Sequence, residues 1–330
     1  MKICVIGLGS MGKRRIRDLL ALGIETVVGV DINPERTSEV KRLFGIETHT
    51  NAEQVLGDRQ CDAVVISTPP DLHAVYGQLA VEYGKPFFME ANVVAEGLPE
   101  LAQLSRKAQV LAAPSCTMRF HPSVKTLKHQ VERISPANIA AFSYVSGQYL
   151  PDWHPWEDYR RFYVAKRETG ACREIVPFEL NWLTWLFGAV TAVQAIKTKR
   201  TQLEIDIDDI YVLGLTFSSG VVGSLEVNVI SRIPERSFRA ISEEWHLIWN
   251  WMDQEVKIYN AQTATWQVYP ESVGFKKYNL ESMYYDEMQA FVEAVRGERN
   301  WPFSLEAELQ LLDTLLQADR CAEATRLSNS

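Results

Sequence analysis

Three glycines, Gly7, Gly9 and Gly12, followed by an acid at Asp31, have the types and spacing to do chemistry. The first permits a tight turn. The second lets a pyrophosphate approach the backbone, and the third lets a helix pack closely on a strand. The helix that follows opens with unpaired N–H groups and a positive dipole end, which suits a phosphate. Asp31 stands nineteen residues after Gly12, where a carboxylate accepts hydrogen bonds from adenosine ribose hydroxyls. The expected chemistry is a dinucleotide seat over Gly7, Leu8, Gly9, Ser10, Met11, Gly12 and Asp31. The plain alternative is a glycine-rich turn in some other α/β protein.

The elements that must hold these residues are legible around them. Lys2–Ile6 is a short β-branched run of the kind buried in parallel sheets, and Thr26–Val30 is another, ending at Asp31. Between them Ile16, Leu19, Leu20 and Gly23 recur at helical spacing. Strand-like runs follow at 46–48, 63–66, 86–89 and 110–113, separated by helical patterns. One pattern places Leu72, Val75, Tyr76, Leu79 and Tyr83 on one face, with Asp71 as its cap. Such alternation predicts a doubly wound parallel sheet over residues 1–120. The carboxyl ends of its strands carry the glycine turn, Asp31, Ser67–Pro70, Glu90 and Ser115–Arg119, and ligands bind beyond that edge.

The pattern changes after about residue 120. Residues 149–170 are aromatic and charged, 178–187 reads as a buried helix, and β-runs dominate 191–259. Residues 121–330 therefore read as a second α/β domain with an open, mostly antiparallel sheet, closed by helices near 281–296 and 304–325. The last of these could pack back on the first domain.

A length of 330 residues suits two such domains. The net charge is −8 with no basic block, which argues against nucleic acid or an anionic membrane as partner. The five cysteines are scattered without metal-ligand spacing and read as free thiols, so no metal site and a reducing, cytoplasmic setting are expected. The chain enters a strand at once, so no signal peptide is expected, and no apolar run is long enough to span a bilayer.

Several motifs together resemble one family. They are the glycine turn with Lys13-Arg14-Arg15, the run Ser67–His73, Tyr83–Pro86 leading to Glu90, Met118–Pro122, Met283–Ala290 and Ser304-Leu305-Glu306. They resemble glucose–fructose oxidoreductase, inositol dehydrogenase and their relatives, the Gfo/Idh/MocA family. The resemblance implies a Rossmann domain, a nicotinamide cofactor and a C-terminal sheet that often forms dimers or tetramers. It also implies sugars, cyclitols or sugar nucleotides as substrates. It places Ser67, Thr68, Pro69 and Asn92 beside the cofactor and gives Glu90 its ribose. His73 could touch the cofactor or serve packing.

The departures matter as much. The family's Glu-Lys-Pro reads Glu90-Ala91-Asn92 here, without the lysine that polarises the reacting oxygen. The family's acid, histidine and aspartate fall on Glu174, Phe178 and Asn181. Neither alanine nor phenylalanine can exchange a proton. The replacement is sought in Glu174, Tyr163 or His121, with Tyr159, His154 and Glu179 nearby. Glu174 could equally form a plain ion pair with Arg173. For the substrate, Arg119, Arg160 and Arg161 suit a phosphate or carboxylate. Trp153 and Trp156 suit a ring face, whereas Trp182, Trp185, Trp245 and Trp249 suit the core. Tyr159, Phe178, Glu179 and Asn181 complete the expected substrate contacts.

Asp31 favours NAD over NADP, since its carboxylate would repel a 2′-phosphate. Arg36, with Arg14 or Arg15, could offset that repulsion. The leading expectation is hydride transfer between nicotinamide and a sugar-like substrate. A nucleotide-binding sensor that kept the fold and lost turnover is the rival. A redox-neutral enzyme that re-reduces what it oxidises is a third reading.

Overall fold

The computed structural model describes residues 1–57, 61–153, 155, 158–271 and 279–328. The chain divides into two units, Met1–Thr117 with Lys277–Leu309, and Met118–Lys276 with Gln310–Ser330.

In the first unit the apolar runs form strands because both faces are covered. Its sheet is six-stranded and parallel, ordered β3-β2-β1-β4-β5-β6. The strands are β1 (Lys2–Ile6), β2 (Thr26–Val30), β3 (Glu47–His49), β4 (Ala63–Ile66), β5 (Phe87–Met89) and β6 (Ala112–Pro114). Cys4 pairs in register with Val28 on one side and Val64 on the other, so the strand order reverses about β1. A sheet of this order opens a crevice between β1 and β4. Helices α1 (Ser10–Ala21), α2 (Pro34–Phe44), α3 (Ala52–Leu56), α4 (His73–Glu82) and α5 (Leu98–Ala108) connect the strands.

The reading that kept 121–330 together is corrected by a later helix, α8 (Asn279–Val295). Its Met288, Phe291 and Val292 join Ile3, Val5, Ile16, Leu19 and Phe88 in the core of the first unit. Each such side chain buried contributes about 1.5–3 kcal/mol, which explains why the segment stays with that unit.

Helix α4 corrects a second expectation. Asp71 lies in a short 3-10 turn and does not cap it, and Leu72, Val75 and Tyr83 are partly exposed. The buried face is His73, Ala74, Gly77, Ala80 and Val81. The small residues are there because α5 crosses closely: a Cβ on Gly77 would lie 2.5 Å from Leu101 Cδ2. Leu104 of α5 is exposed.

The second unit has an eight-stranded sheet ordered β14-β13-β12-β11-β7-β10-β9-β8. Its members are β7 (Ala141–Tyr149), β8 (Val190–Thr198), β9 (Ile210–Phe217), β10 (Val222–Asn228), β11 (Ile230–Ile241), β12 (Trp245–Asn250), β13 (Glu255–Asn260) and β14 (Thr265–Pro270). Only the β7–β10 pair among these is parallel. The apolar run at 238–249 breaks into two strands at Ser242–Glu244, and β14 was not anticipated. Helices α6 (Pro122–Ile134) and α7 (Ala171–Phe187) belong to this unit. Trp182 and Phe187 of α7 pack against Tyr144, Phe142 and Phe238 on one sheet face. The last helix, α9 (Leu305–Ser328), begins in the first unit and ends in the second.

Candidate active site

In the first unit the glycine turn has the geometry its spacing demands. Gly7 sits at φ +92°, and a Cβ there would lie 2.5 Å from the Ser67 carbonyl oxygen. A Cβ on Gly12 would lie 1.8 Å from the Gly7 oxygen, whereas one on Gly9 would meet nothing within 4 Å. The fold therefore requires Gly7 and Gly12, and Gly9 faces open space. Gly9 is also the N-cap of α1, and no side chain caps that helix. The leading N–H groups of α1 thus remain available to an anion.

Asp31 is fixed at the tip of β2. It accepts the Leu8 N–H at 2.9 Å and the Asn33 N–H at 2.8 Å, and Arg36 lies 3.6 Å away. A carboxylate has about four acceptor positions, so it keeps capacity for ribose hydroxyls. Leu8 is buried, and Ser10 and Met11 are part-exposed at the mouth of the turn. Met11 Sδ accepts from Arg14 at 3.0 Å. Pro69 is exposed, and Thr68 Oγ1 is buried without a hydrogen-bond partner. These features fit an adenine dinucleotide.

Arg15, offered with Arg14 as a cation that could offset the repulsion of a 2′-phosphate, is fully buried. It grips both oxygens of Glu90, at 2.7 and 2.8 Å, and reaches Glu287 at 2.9 Å. Burial alone would lower its pKa, but the charges of Glu90 and Glu287 outweigh that and hold it raised. Glu90, expected to take a ribose, is thus chiefly the anchor of Arg15, and Ser67 Oγ also donates to it at 3.1 Å. Glu287 went unnoticed as an anchor. It accepts from Ser115 Oγ, the Cys116 N–H and Thr117 Oγ1 beyond β6. The signal was an acid on the buried side of an apolar helix. His73 and Asn92 are buried and bonded to each other, with Glu308 as a further unforeseen member.

In the second unit the expected acids separate sharply. Glu179 is fully buried beneath the sheet. It accepts from Tyr144, Ser146, Trp182 and Arg236 at 2.8–3.0 Å. A carboxylate so satisfied is a structural anchor, which corrects its assignment to the substrate. His121 is corrected too. Its ring stacks on Trp251 at 5.4 Å and tilts against Trp249. Burial, with the charges of Arg236 and Lys125, pushes it down to about 3. It stays neutral near pH 7, a poor acid or base.

Glu174 behaves differently. It lies in the first turn of α7, a helix entered under strain. Ala171 has φ +41°, and Gly170 fits only because it lacks a Cβ, which would lie 2.4 Å from the Val164 and Lys166 oxygens. Tyr163 donates its hydroxyl to Glu174 Oε1 at 2.9 Å, and Oε2 is buried without a partner. Burial raises the carboxyl to about 7, against the pull of the Tyr163 bond. Phe178 follows one turn later, also half-buried. Arg173 pairs with Asp319 at 3.2 Å, so the suggested ion pair with Glu174 is not formed. A nearby recess lined by Arg167, Arg173, Lys197, Tyr211, Asp319 and Glu323 is occupied by its own ion pairs, with Asp319 also holding Lys197 at 2.8 Å.

The expected anion binders are held by protein partners. Arg119 donates to the Asn181 side chain and carbonyl at 2.8 and 3.0 Å, which fixes Asn181 as its positioner. Arg160 is bound by Asp158 at the surface, and also by Glu204. The Tyr159 hydroxyl accepts the Glu204 N–H at 3.4 Å, and Trp153 is half-buried with Nε1 unpartnered. His154 and Trp156 lie outside the described residues. Trp182 and Trp249 are core residues as expected, while Trp185 and Trp245 are part-exposed. Among the described residues no group of three or more His, Cys, Asp or Glu could hold a metal, and no helix is long and apolar enough to cross a membrane.

Residues 1–115 match the sequence profile described as an oxidoreductase family with an NAD-binding Rossmann fold. Residues 131–247 match that of the GFO/IDH/MocA C-terminal domain. The chain belongs to the Gfo/Idh/MocA oxidoreductase family. It is 25% identical to scyllo-inositol 2-dehydrogenase (NAD(+)) of Bacillus subtilis over 90% of this chain and 86% of that protein. It is 23% identical to inositol 2-dehydrogenase 3 of Saccharopolyspora erythraea over 69% of this chain and 67% of that protein. Its fold matches a levoglucosan dehydrogenase solved with NADH and levoglucosan, at TM-score 0.84 and 19% identity over 98% and 97% of the two chains. Membership makes the first unit an NAD-binding domain and the protein an oxidoreductase.

Proposed function

We propose that this family member transfers a hydride between NAD and one carbinol carbon of a cyclitol- or sugar-like substrate, with Glu174 handling the hydroxyl proton. The names of its inositol and levoglucosan dehydrogenase relatives support the substrate class. Bound NAD supplies the two-electron acceptor. In oxidation, Glu174 Oε2 would take the substrate hydroxyl proton as the carbinol carbon becomes a carbonyl, and the hydride that carbon releases is what bound NAD would accept. Tyr163 keeps the carboxyl in one rotamer. Ser67, Thr68 and Pro69 flank the nicotinamide half, and Asp31 takes the adenosine ribose, which favours NAD over NADP.

The observation that carries this reading is the unpartnered Glu174 Oε2, poised near neutrality beside the phenol that orients its twin oxygen. A base with a pKa near the working pH is the efficient choice. The test follows nicotinamide absorbance over a panel of inositols, anhydrosugars and UDP-sugars. Turnover lost in Glu174→Gln, with NADH affinity intact, supports the assignment, and unchanged turnover removes it.

We also propose self-association through the outer sheet face. By register Ile196, Val222, Trp266 and Val268 share the face opposite Tyr144 and Phe238, and all four are exposed. Light scattering tests this, and a monomer at assay concentration removes it. A reducing, cytoplasmic setting accords with five cysteines that form no disulfide among the described residues.

A further inference from the structure

Three elements of the first unit meet at three buried polar side chains. His73 opens α4, Asn92 follows β5, and Glu308 lies in the first turn of α9. His73 Nδ1 is 2.8 Å from Asn92 Oδ1, and Nε2 is 2.9 Å from the Thr68 carbonyl oxygen. Asn92 donates its side-chain N–H to Glu308 Oε2 at 2.8 Å and its backbone N–H to Oε1 at 3.2 Å.

Counting protons constrains this chain of contacts. A neutral imidazole has one N–H and cannot donate to two oxygens. The remaining contact is met in one of two ways. Either the ring carries a second proton, or the Asn92 amide turns its NH2 toward the ring. The two ends of an amide have nearly the same shape, so both orientations fit. The turned amide sets Oδ1 against Glu308 Oε2, which requires a proton on Glu308. Both arrangements hold the same number of protons. Without that proton, one buried contact opposes two lone pairs.

Burial disfavours either charge. It pushes the His73 ring below its ordinary value and the Glu308 carboxyl up to about 7, so the neutral pair is favoured. Glu90 and Asp71 face the ring and pull it upward, less strongly than burial lowers it. Asn92 alone offsets burial at Glu308.

We propose that His73, Asn92 and Glu308 share a single buried proton, and that this proton fixes the spacing of the loops after β4 and β5 that receive the nicotinamide half of NAD. The ring ties Thr68 to Asn92, and Asn92 lies two residues past Glu90. Asn92 is a positioning residue. The proposal rests on the dinucleotide seat described above and not on the role of Glu174.

The test is calorimetric titration of the full chain with NADH from about pH 6 to about pH 9, in buffers of different ionisation heat, so that protons taken up are counted. In wild type the affinity is expected to fall by about tenfold per pH unit above about pH 7, with uptake approaching one proton. Glutamine mimics the protonated carboxyl, so Glu308→Gln is expected to bind without pH dependence or proton uptake. Wild type and Glu308→Gln titrating alike would overturn the proposal, as would a flat wild-type profile. Absence of NADH binding at every pH would overturn the seat itself. Should Glu308→Gln fail to fold, infrared difference spectra of Glu174→Gln, which lacks the other buried carboxyl raised to about 7, decide. A buried protonated-carboxyl band that fades as affinity falls supports the shared proton, and its absence at acid pH refutes it.

Discussion

Tyr163 donates its phenolic hydrogen to Glu174 Oε1 at 2.9 Å, and the second carboxyl oxygen is buried with no partner. The hydrogen bond favours the ionised form, and burial opposes it more strongly. In the oxidation direction, kcat/KM is expected to rise as pH passes upward through about 7, as Glu174 becomes a base. Tyr163→Phe removes the lowering bond and should move that midpoint upward. Glu174→Gln should cost about 10²–10⁴ in turnover, the usual worth of a general base. A pH–rate series on the three proteins measures all of this.

Glu174 also sets a sign for stability. Its folded pKa, about 7, exceeds its ordinary value of 4.5, so its favourable contribution is complete below 4.5 and is lost as pH rises through about 7. The slope in that window is at most about 1.4 kcal/mol per pH unit, reduced by residual solvent contact. Urea midpoints of wild type should therefore decline relative to Glu174→Gln between pH 5 and pH 7 and run parallel above it.

The glycine turn separates binding from folding. A Cβ on Gly9 meets nothing within 4 Å, while one on Gly12 collides with the Gly7 oxygen at 1.8 Å. Gly9→Ala should keep its melting temperature within a few degrees and lose NADH affinity. Gly12→Ala should lose folded protein. Thermal melts beside NADH fluorescence titrations distinguish the two.

Arg15 is fully buried between Glu90 and Glu287. Arg15→Met leaves two carboxylates buried without a cation, and such losses cost about 3–5 kcal/mol. The double variant Arg15→Met, Glu287→Gln should recover part of that loss. Chemical denaturation of the single and double variants measures it.

In the proposed seat Asp31 takes the adenosine ribose, and Arg36 lies 3.6 Å from its carboxylate. Wild type should prefer NADH to NADPH, and Asp31→Ser should narrow the preference by about 10–100-fold, within the roughly 1–4 kcal/mol of a close charge pair in partial solvent. Parallel titrations with the two coenzymes read the ratio.

The sequence by itself determined the doubly wound half of this protein, its glycine turn and the acid at the tip of β2. These are local facts. The period of apolar residues, and the few turns only glycine permits, are written in neighbouring positions. Tertiary structure decided which acids are available. Glu174 and Glu179 lie five residues apart on one helix, yet one keeps an unpartnered oxygen and the other accepts from four side chains. The partners of Arg15, Glu287 and Glu308 are not legible in the sequence, because nothing in their neighbours names a residue 75 or more positions away. Burial and long-range pairing belong to the packed chain, and they convert a charge from a solvated face into an anchor or a proton store.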